Sequence, residues 1–279
     1  MKILITGADG FTGKHFVSYV KNLGIDFHAL KADLNDRNAL DNEVEKVNPT
    51  HVVHLAGISA VTHEIQSEFY EVNLLGTLNL LDALKKLVRV PLKILLASSA
   101  NVYGNVGTAA IDESVAPSPQ NHYAMSKLAM EYMARNYLDC LPLFLVRPFN
   151  YTGYGQSASF VIGKIAAHFK EQKREIELGR LDVAREYNDV RAVCEIYTRL
   201  LNKAECGEVY NICSGVTFEL SEILNIFERI YGYKIHVHTN LKLVRNNEIK
   251  RLSGDPKKLE TCIGKIKWPS IDETLRSMG

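Results

Sequence analysis

The shortages of this 279-residue chain exclude several classes of function. It has five cysteines, Cys140, Cys194, Cys206, Cys213 and Cys262, an odd and scattered set without a Cys-x-x-Cys pair. That argues against a disulfide framework or a zinc site and for a reducing cytosol. Charge of one sign is also missing: 33 Lys and Arg stand against 32 Asp and Glu, a net charge of +1. Without a basic field or a polybasic tract, neither nucleic acid nor a membrane surface is an expected partner. No apolar run approaches the ~20 residues of a membrane-spanning helix. In residues 1–7 the apolar run before Thr6 and Gly7 is only three residues long and no cleavage-type site follows, so they read as a first strand rather than a signal peptide. Repeats and low-complexity segments are absent. What remains, 46% hydrophobic and 23% charged residues, is the composition of a globular cytoplasmic protein.

The first 150 residues alternate between strand-like and helix-like patterns. Strands are expected over 2–6, 27–30, 50–55, 93–97 and 143–147. Helices are expected over 13–22, 38–46, 69–87 and 123–137. This alternation predicts an α/β fold, a Rossmann-type doubly wound parallel sheet with helices on both faces. The continuous apolar runs of its strands suit a sheet covered on both sides. After Pro148 the pattern loosens, and an irregular basic stretch spans 242–258. The expected division is a dinucleotide-binding part, 1–149 with about 189–212, and a smaller C-terminal substrate-binding lobe, 150–188 with 213–279, around a cleft.

Gly7-Ala8-Asp9-Gly10-Phe11-Thr12-Gly13 lies between the first strand and the first helix. Glycines so spaced allow a tight turn, close approach of a pyrophosphate and close helix–strand packing, while the helix N-terminus offers free N–H groups. Gly7, Gly10, Phe11, Thr12 and Gly13 are therefore candidate cofactor residues. An acidic residue at the end of the second strand usually receives the adenosine ribose hydroxyls of NAD. Lys31 stands there instead and suits a 2′-phosphate, which favours NADP(H) while leaving NAD(H) possible. Asp33, followed by Leu34, either faces the adenine or caps the next helix.

The strand at 93–97 ends in Ser98-Ser99-Ala100-Asn101. Hydroxyls at such a strand end face the crevice where ligands bind. Downstream, Tyr123 and Lys127 are four residues apart and share a helix face. A nearby ammonium is expected to bring the phenol of Tyr123 towards neutrality, so that it exchanges a proton with a sugar hydroxyl or ketone oxygen. Ser99 is placed to hydrogen-bond the same oxygen.

Together these features resemble the extended short-chain dehydrogenase/reductase family, over essentially the whole chain. His54-Leu55-Ala56-Gly57, Asn73-Leu74-Leu75-Gly76-Thr77 and Arg147-Pro148-Phe149-Asn150 match it as well. The resemblance implies nucleotide-sugar chemistry. It implies that Leu55, Ala56, Gly57, Asn73 and Pro148 lie along the cofactor, that Tyr123 is the acid/base and that Lys127 holds the nicotinamide ribose. It also implies a homodimer through a four-helix bundle formed by helices 69–87 and 123–137, whose apolar residues include Leu78, Leu81, Leu84, Met130 and Met133.

Residues 147–156, 160–165, 179–190 and 209–215 are similar to one branch, the GDP-mannose 4,6-dehydratases and GDP-4-keto-6-deoxymannose reductases. The branch places Arg185 and Arg245 on the nucleotide diphosphate, whose oxygens guanidinium groups match bidentately. It places Asn150 on the substrate and Val161 and Lys164 near the base. In the dehydratases a glutamate two residues after the serine removes the sugar C5 proton. Here that position, counted among the substrate residues, is Asn101, which has no basic form. Hydride transfer at C4 is what remains, a 4-ketoreductase, with a retained-NAD 4-epimerase or a dTDP-sugar reductase as alternatives. A non-catalytic NADP sensor is disfavoured by the intact Tyr123 and Lys127. The short connection between Leu30 and Asp33, where many relatives carry a longer loop, leaves less room for a 2′-phosphate pocket.

Overall fold

The structure is a computed structural model that describes residues 1–60, 63–107, 110–240, 243 and 250–279. Strand β1 (Lys2–Thr6) turns into helix α1 (Phe11–Asn22), followed by β2 (Asp26–Ala29), α2 (Arg37–Val47) and β3 (His51–His54). Helix α3 (Gln66–Tyr70) passes through a π-helical turn, Glu71–Gly76, into α4 (Thr77–Lys85). Strand β4 (Lys93–Ala97) ends in a 3-10 turn, Ala100–Tyr103, and α5 (His122–Ala134) precedes β5 (Leu143–Pro148). Then come β6 (Tyr151–Thr152), α6 (Val161–Lys170), β7 (Glu175–Leu178), β8 (Ala184–Arg185), β9 (Asn188–Asp189), α7 (Val190–Lys203) and β10 (Val209–Ile212). The last elements are β11 (Phe218–Glu219), α8 (Leu220–Tyr231), β12 (His236–Thr239), β13 (Arg251–Leu252), α9 (Lys257–Ile263) and α10 (Ile271–Arg276).

The central sheet runs β2-β1-β3-β4-β5-β10, and every pairing is parallel. The chain leaves β1 for β2 on one side and returns to place β3 on the other. That reversal opens a crevice at the C-terminal ends of β1 and β3, the place where open α/β sheets bind ligands. Side chains alternate between the faces of β1. Ile3 and Ile5 pack with Phe16 and Tyr197 beneath α1 and α7, while Leu4 packs with Leu40, Leu80 and Met130 beneath α2, α4 and α5. A third cluster, including Ile162, Phe169, Phe227 and Leu275, joins α6, α8 and α10.

The helix expected over 69–87 is interrupted. In its π turn, Gly76 lies against Leu34, where an added Cβ would come within 3.0 Å of the leucine Cβ. The residues expected to face a partner need correcting too. Leu81, Leu84 and Met130 are fully buried in this chain's own core, and Leu78 packs against it. Of that set only Met133 is exposed, together with Leu75, Met125 and Tyr132 on the same helices. Among the described residues, no helix is long and apolar enough to cross a membrane.

Candidate active site

The glycine turn lies at the crevice and depends on its glycines. Gly7 has φ +67°, and a Cβ there would stand 2.6 Å from the Ala56 nitrogen. A side chain at Gly13 would collide with the Gly7 carbonyl oxygen. Gly10 begins α1, and among the described residues no side-chain hydrogen bond caps this helix. A close backbone cradle ending in an uncapped helix N-terminus fits a dinucleotide pyrophosphate. Thr12 Oγ1 lies 2.7 Å from the Tyr151 hydroxyl, and Phe11 stacks on the Tyr151 ring.

Behind the turn runs a buried relay. The Ala56 N–H donates to Thr6 Oγ1 at 3.1 Å, and Thr6 Oγ1 lies 2.7 Å from His54 Nδ1. His54 Nε2 lies 2.8 Å from Thr77 Oγ1, which donates to the Asn73 carbonyl at 2.7 Å. Because Thr77 has spent its proton, His54 must donate from Nε2 and accept at Nδ1, so its ring is neutral. Burial, followed by the charge of Lys127, pushes the His54 pKa down to about 3. The Asn73 side chain accepts from Ile58 N at 2.8 Å and donates to Ser126 Oγ at 3.0 Å. Ser126 in turn donates to the Tyr123 carbonyl at 2.8 Å. The relay thus holds segment 55–58 against α5.

Asn121 caps α5 through a 2.9 Å bond to the Ala124 N–H, which sets Tyr123 in the first turn. Ser99 Oγ accepts from both the backbone N–H and the side-chain amide of Asn101, each at 3.2 Å, and is hydrogen-bonded to Tyr123. With both acceptor positions used, the Ser99 proton is left for Tyr123. Lys127 Nζ donates to the Ala97 carbonyl at 2.8 Å. Burial lowers the Lys127 pKa to about 8, against an opposing pull from Glu131. One expectation fails here. The Tyr123 phenol is raised rather than lowered, because its burial outweighs the hydrogen bond from Ser99. In this structure Tyr123 is a proton-bearing phenol.

A second buried network supports these groups from below. Arg147 grips Glu131 bidentately at 2.9 and 2.6 Å, and Ser98 donates to the same carboxylate. Arg147 also donates to the Tyr103 hydroxyl at 3.0 Å, which donates to Asn211 Oδ1 at 2.8 Å. The two serines are therefore divided: Ser98 ties β4 to α5, and Ser99 faces the crevice.

Lys31 is exposed just past β2. The Asp33 carboxylate accepts from the Asn35 N–H at 2.9 Å, whereas Asp36 is the residue that caps α2. The Leu34 carbonyl accepts from Asn79. Asn73 Oδ1 and Lys127 Nζ approach Gly57 so closely that a Cβ there would lie 2.8 and 3.1 Å from them. Leu55 and Ala56 line the Gly7 turn, and Pro148 ends β5 at the same rim of the sheet.

The expected substrate residues are more dispersed. Asn150 is exposed beyond β5, and its carbonyl accepts from the Asn188 N–H at 3.0 Å. Val161 opens α6 and is exposed. Lys164 Nζ is held by the Glu177 carbonyl at 2.6 Å. Arg185 lies in β8, between β11 and β13. Arg245 lies outside the described residues. Beside Arg185, the buried carboxylate of Glu186 accepts from Gly254 N, Ser214 N and Asn188 Nδ2 at 2.7–2.8 Å and joins three loops.

Sequence reasoning missed Thr6, Thr77, Ser126, Glu131 and Glu186 as supports of the site. Nothing in their spacing marks them, because each acts across elements brought together only by the fold. Ser126 alone carried a signal, its place between Tyr123 and Lys127.

The family model for GDP-mannose 4,6 dehydratase matches residues 21–278. The chain is 34% identical to GDP-6-deoxy-D-talose 4-dehydrogenase of Aggregatibacter actinomycetemcomitans, covering 100% of this chain and 97% of that one. It is 33% identical to GDP-6-deoxy-D-mannose reductase of Pseudomonas aeruginosa, covering 99% and 95%. Among solved structures, RMD from Pseudomonas aeruginosa complexed with NADPH is 33% identical, with a TM-score of 0.90 over 99% of this chain and 96% of that one. A Burkholderia cenocepacia protein, provisionally called an epimerase, is 41% identical, with a TM-score of 0.93 over 99% and 96%.

Proposed function

The chain belongs to the GDP-mannose 4,6-dehydratase family, and from that premise we propose that it is an NAD(P)H-dependent 4-ketoreductase of a nucleotide-activated 4-keto-6-deoxyhexose. The substrate is GDP-4-keto-6-deoxymannose and the product GDP-rhamnose or GDP-6-deoxytalose, in the cytoplasmic supply of deoxysugars for surface polysaccharide. One observation carries this reading: the group hydrogen-bonded to Ser99 is the amide of Asn101, not a carboxylate. Dehydration needs a base to remove the C5 proton, and an amide has no basic form. Ketone reduction needs only an acid.

The bound coenzyme supplies hydride to the sugar carbonyl carbon. The turn 7–13, Leu55, Ala56 and Gly57 hold it in the crevice, and Lys127 holds its nicotinamide ribose. Lys31 favours the phosphorylated coenzyme without excluding the other. Tyr123, kept protonated by burial, gives its proton to the ketone oxygen as the alkoxide forms. Ser99, whose one proton is directed at Tyr123, stabilises the resulting phenolate. Arg185 and Arg245 bind the diphosphate, Asn150 the sugar, and Val161 and Lys164 the base, for which Lys164 must leave the Glu177 carbonyl. Residues 1–149 with 189–212 carry the coenzyme, and 150–188 with 213–279 the nucleotide sugar. The exposed Leu75, Met125, Tyr132 and Met133 form the contact of a homodimer.

Incubation with NADPH and a panel of nucleotide 4-keto-6-deoxyhexoses, with product stereochemistry read by NMR, tests the reading. Turnover of the GDP-linked ketone is expected. Turnover confined to a dTDP-linked ketone would overturn the substrate. A tightly retained NAD that inverts C4 without net oxidation would make the enzyme an epimerase.

A further inference from the structure

The end of β2 holds an anion of its own. Leu30 N donates to the Ile5 carbonyl at 2.8 Å, so Lys31 is the first residue beyond the sheet, beside the turn that follows β1. The consecutive N–H groups of Lys31 and Ala32 both point at the carboxylate of Glu43 on α2. Lys31 N is 3.0 Å from Oε1 and 3.3 Å from Oε2, and Ala32 N is 2.7 Å from Oε2. His28 Nε2 lies 2.6 Å from Oε1. Burial raises the Glu43 pKa, but the bonds from His28, Lys31 and Ala32 outweigh it and hold the group below the usual carboxylate range. Its side chain keeps 18% of its surface exposed.

Two successive backbone N–H groups converging on one point form an anion seat. The end of the second strand is also where the adenosine ribose of a dinucleotide lies, and where a 2′-phosphate would look for donors. Two further donors of this short connection are already used: Asn35 N goes to the Asp33 carboxylate and Asp36 N to the Asp33 carbonyl. A carboxylate with three or four hydrogen bonds has little capacity left for ribose hydroxyls. Glu43 therefore acts through its charge and through the donors it occupies, opposite in effect to the exposed ammonium of Lys31.

Resting on the coenzyme chemistry proposed above, we propose that Glu43 is the coenzyme-specificity residue of this protein. It fills the anion seat at the end of β2 and opposes the 2′-phosphate that Lys31 attracts. The consequence is similar affinity for NADH and NADPH. Removing one like charge beside an anion at the edge of a protein changes affinity about tenfold.

The test is titration of the coenzyme-free protein with NADH and with NADPH at low salt, following the fluorescence of the reduced nicotinamide. The readout is the ratio of the two dissociation constants, which ketone turnover does not enter. For the wild type the NADH constant should be within about threefold of the NADPH constant. Glu43→Gln keeps the shape and an acceptor oxygen and should tighten NADPH about tenfold relative to NADH. Glu43→Asp keeps the charge and should leave the ratio near that of the wild type. Lys31→Ala should weaken NADPH alone. A Glu43→Gln ratio unmoved from the wild type, including equal loss of both coenzymes, overturns the proposal. Failure of the wild type to bind either coenzyme would overturn the oxidoreductase reading itself.

Discussion

Asn101 donates to Ser99 Oγ twice, once from its backbone N–H and once from its side-chain amide, both at 3.2 Å. The pair fixes which way the serine hydroxyl points. A serine with two donors against its oxygen has one proton to give, and Tyr123 is its partner. On the mechanism proposed above, Asn101 therefore both withholds the base of a dehydration and orients the hydroxyl that supports the acid of the reduction.

Asn101→Ala should lower kcat for ketone reduction about tenfold, the worth of one orienting hydrogen bond. Coenzyme affinity should stay unchanged. Steady-state kinetics beside a coenzyme titration checks this, and an unaltered kcat would show that Ser99 needs no such guidance.

Tyr123→Phe should reduce turnover by about 10²–10⁴-fold, the usual contribution of a general acid. Binding of the reduced coenzyme should persist. Single-turnover kinetics with the GDP-linked ketone separates the two effects, and retained turnover would remove Tyr123 from the mechanism.

Lys127 titrates near pH 8 because burial disfavours its charge. Coenzyme affinity should therefore weaken as the pH rises through about 8 and the ammonium is lost, and Lys127→Met should flatten this dependence. Dissociation constants measured from pH 6.5 to 9.5 report it. The effect on stability has the opposite sign. Between about 8 and 10.5 the unfolded lysine still binds a proton that the folded one has released, so the free protein gains stability as the pH rises.

His54, neutral in the relay with a pKa of about 3, makes the fold sensitive to acid. Below pH 6.5 the unfolded histidine binds a proton and the folded one does not, so stability falls as the pH drops through that range. The loss between pH 7 and pH 5 is about 2 kcal/mol. Urea denaturation at the two pH values should show it, and His54→Asn should start from lower stability but lose less. Equal losses in both proteins would assign the acid sensitivity elsewhere.

Tyr132→Glu should convert a dimer into a monomer, because Tyr132 is exposed on α5 beside Met133 and Met125. Sedimentation velocity of the variant beside the wild type checks this, and a monomeric wild type would exclude the homodimer.

The parallel sheet was legible because its strands are short continuous apolar runs, and Ile3-Leu4-Ile5 bury on alternate faces as such a run must. The Gly7 turn and the Tyr123/Lys127 pair were legible because local geometry dictates their spacing. The electrostatics were not. Lys127 four residues after Tyr123 suggested a lowered phenol, yet its ammonium goes to Ala97 and burial raises Tyr123. Depth below the surface depends on the whole fold and leaves no local pattern. The helix faces misled for the same reason: Leu81 and Met130 look surplus to one apolar stripe, but two helices and a sheet cover them.

The helical segment 66–85, which includes the π turn at Glu71–Gly76, ties several contacts to its residue count. It carries Phe69, which packs on the Tyr123 ring at 6.0 Å, then the buried Asn73, then Gly76 against Leu34, then Leu80 and Leu84 in the core. In the α-helical stretch that follows the π turn each residue turns about 100°, so deleting one residue between Thr77 and Leu80 would swing Phe69 and Leu80 apart by that angle. Either Phe69 would lose Tyr123 or Leu80 would leave the core. Natural length variation in this protein should therefore fall in its loops and spare this helix.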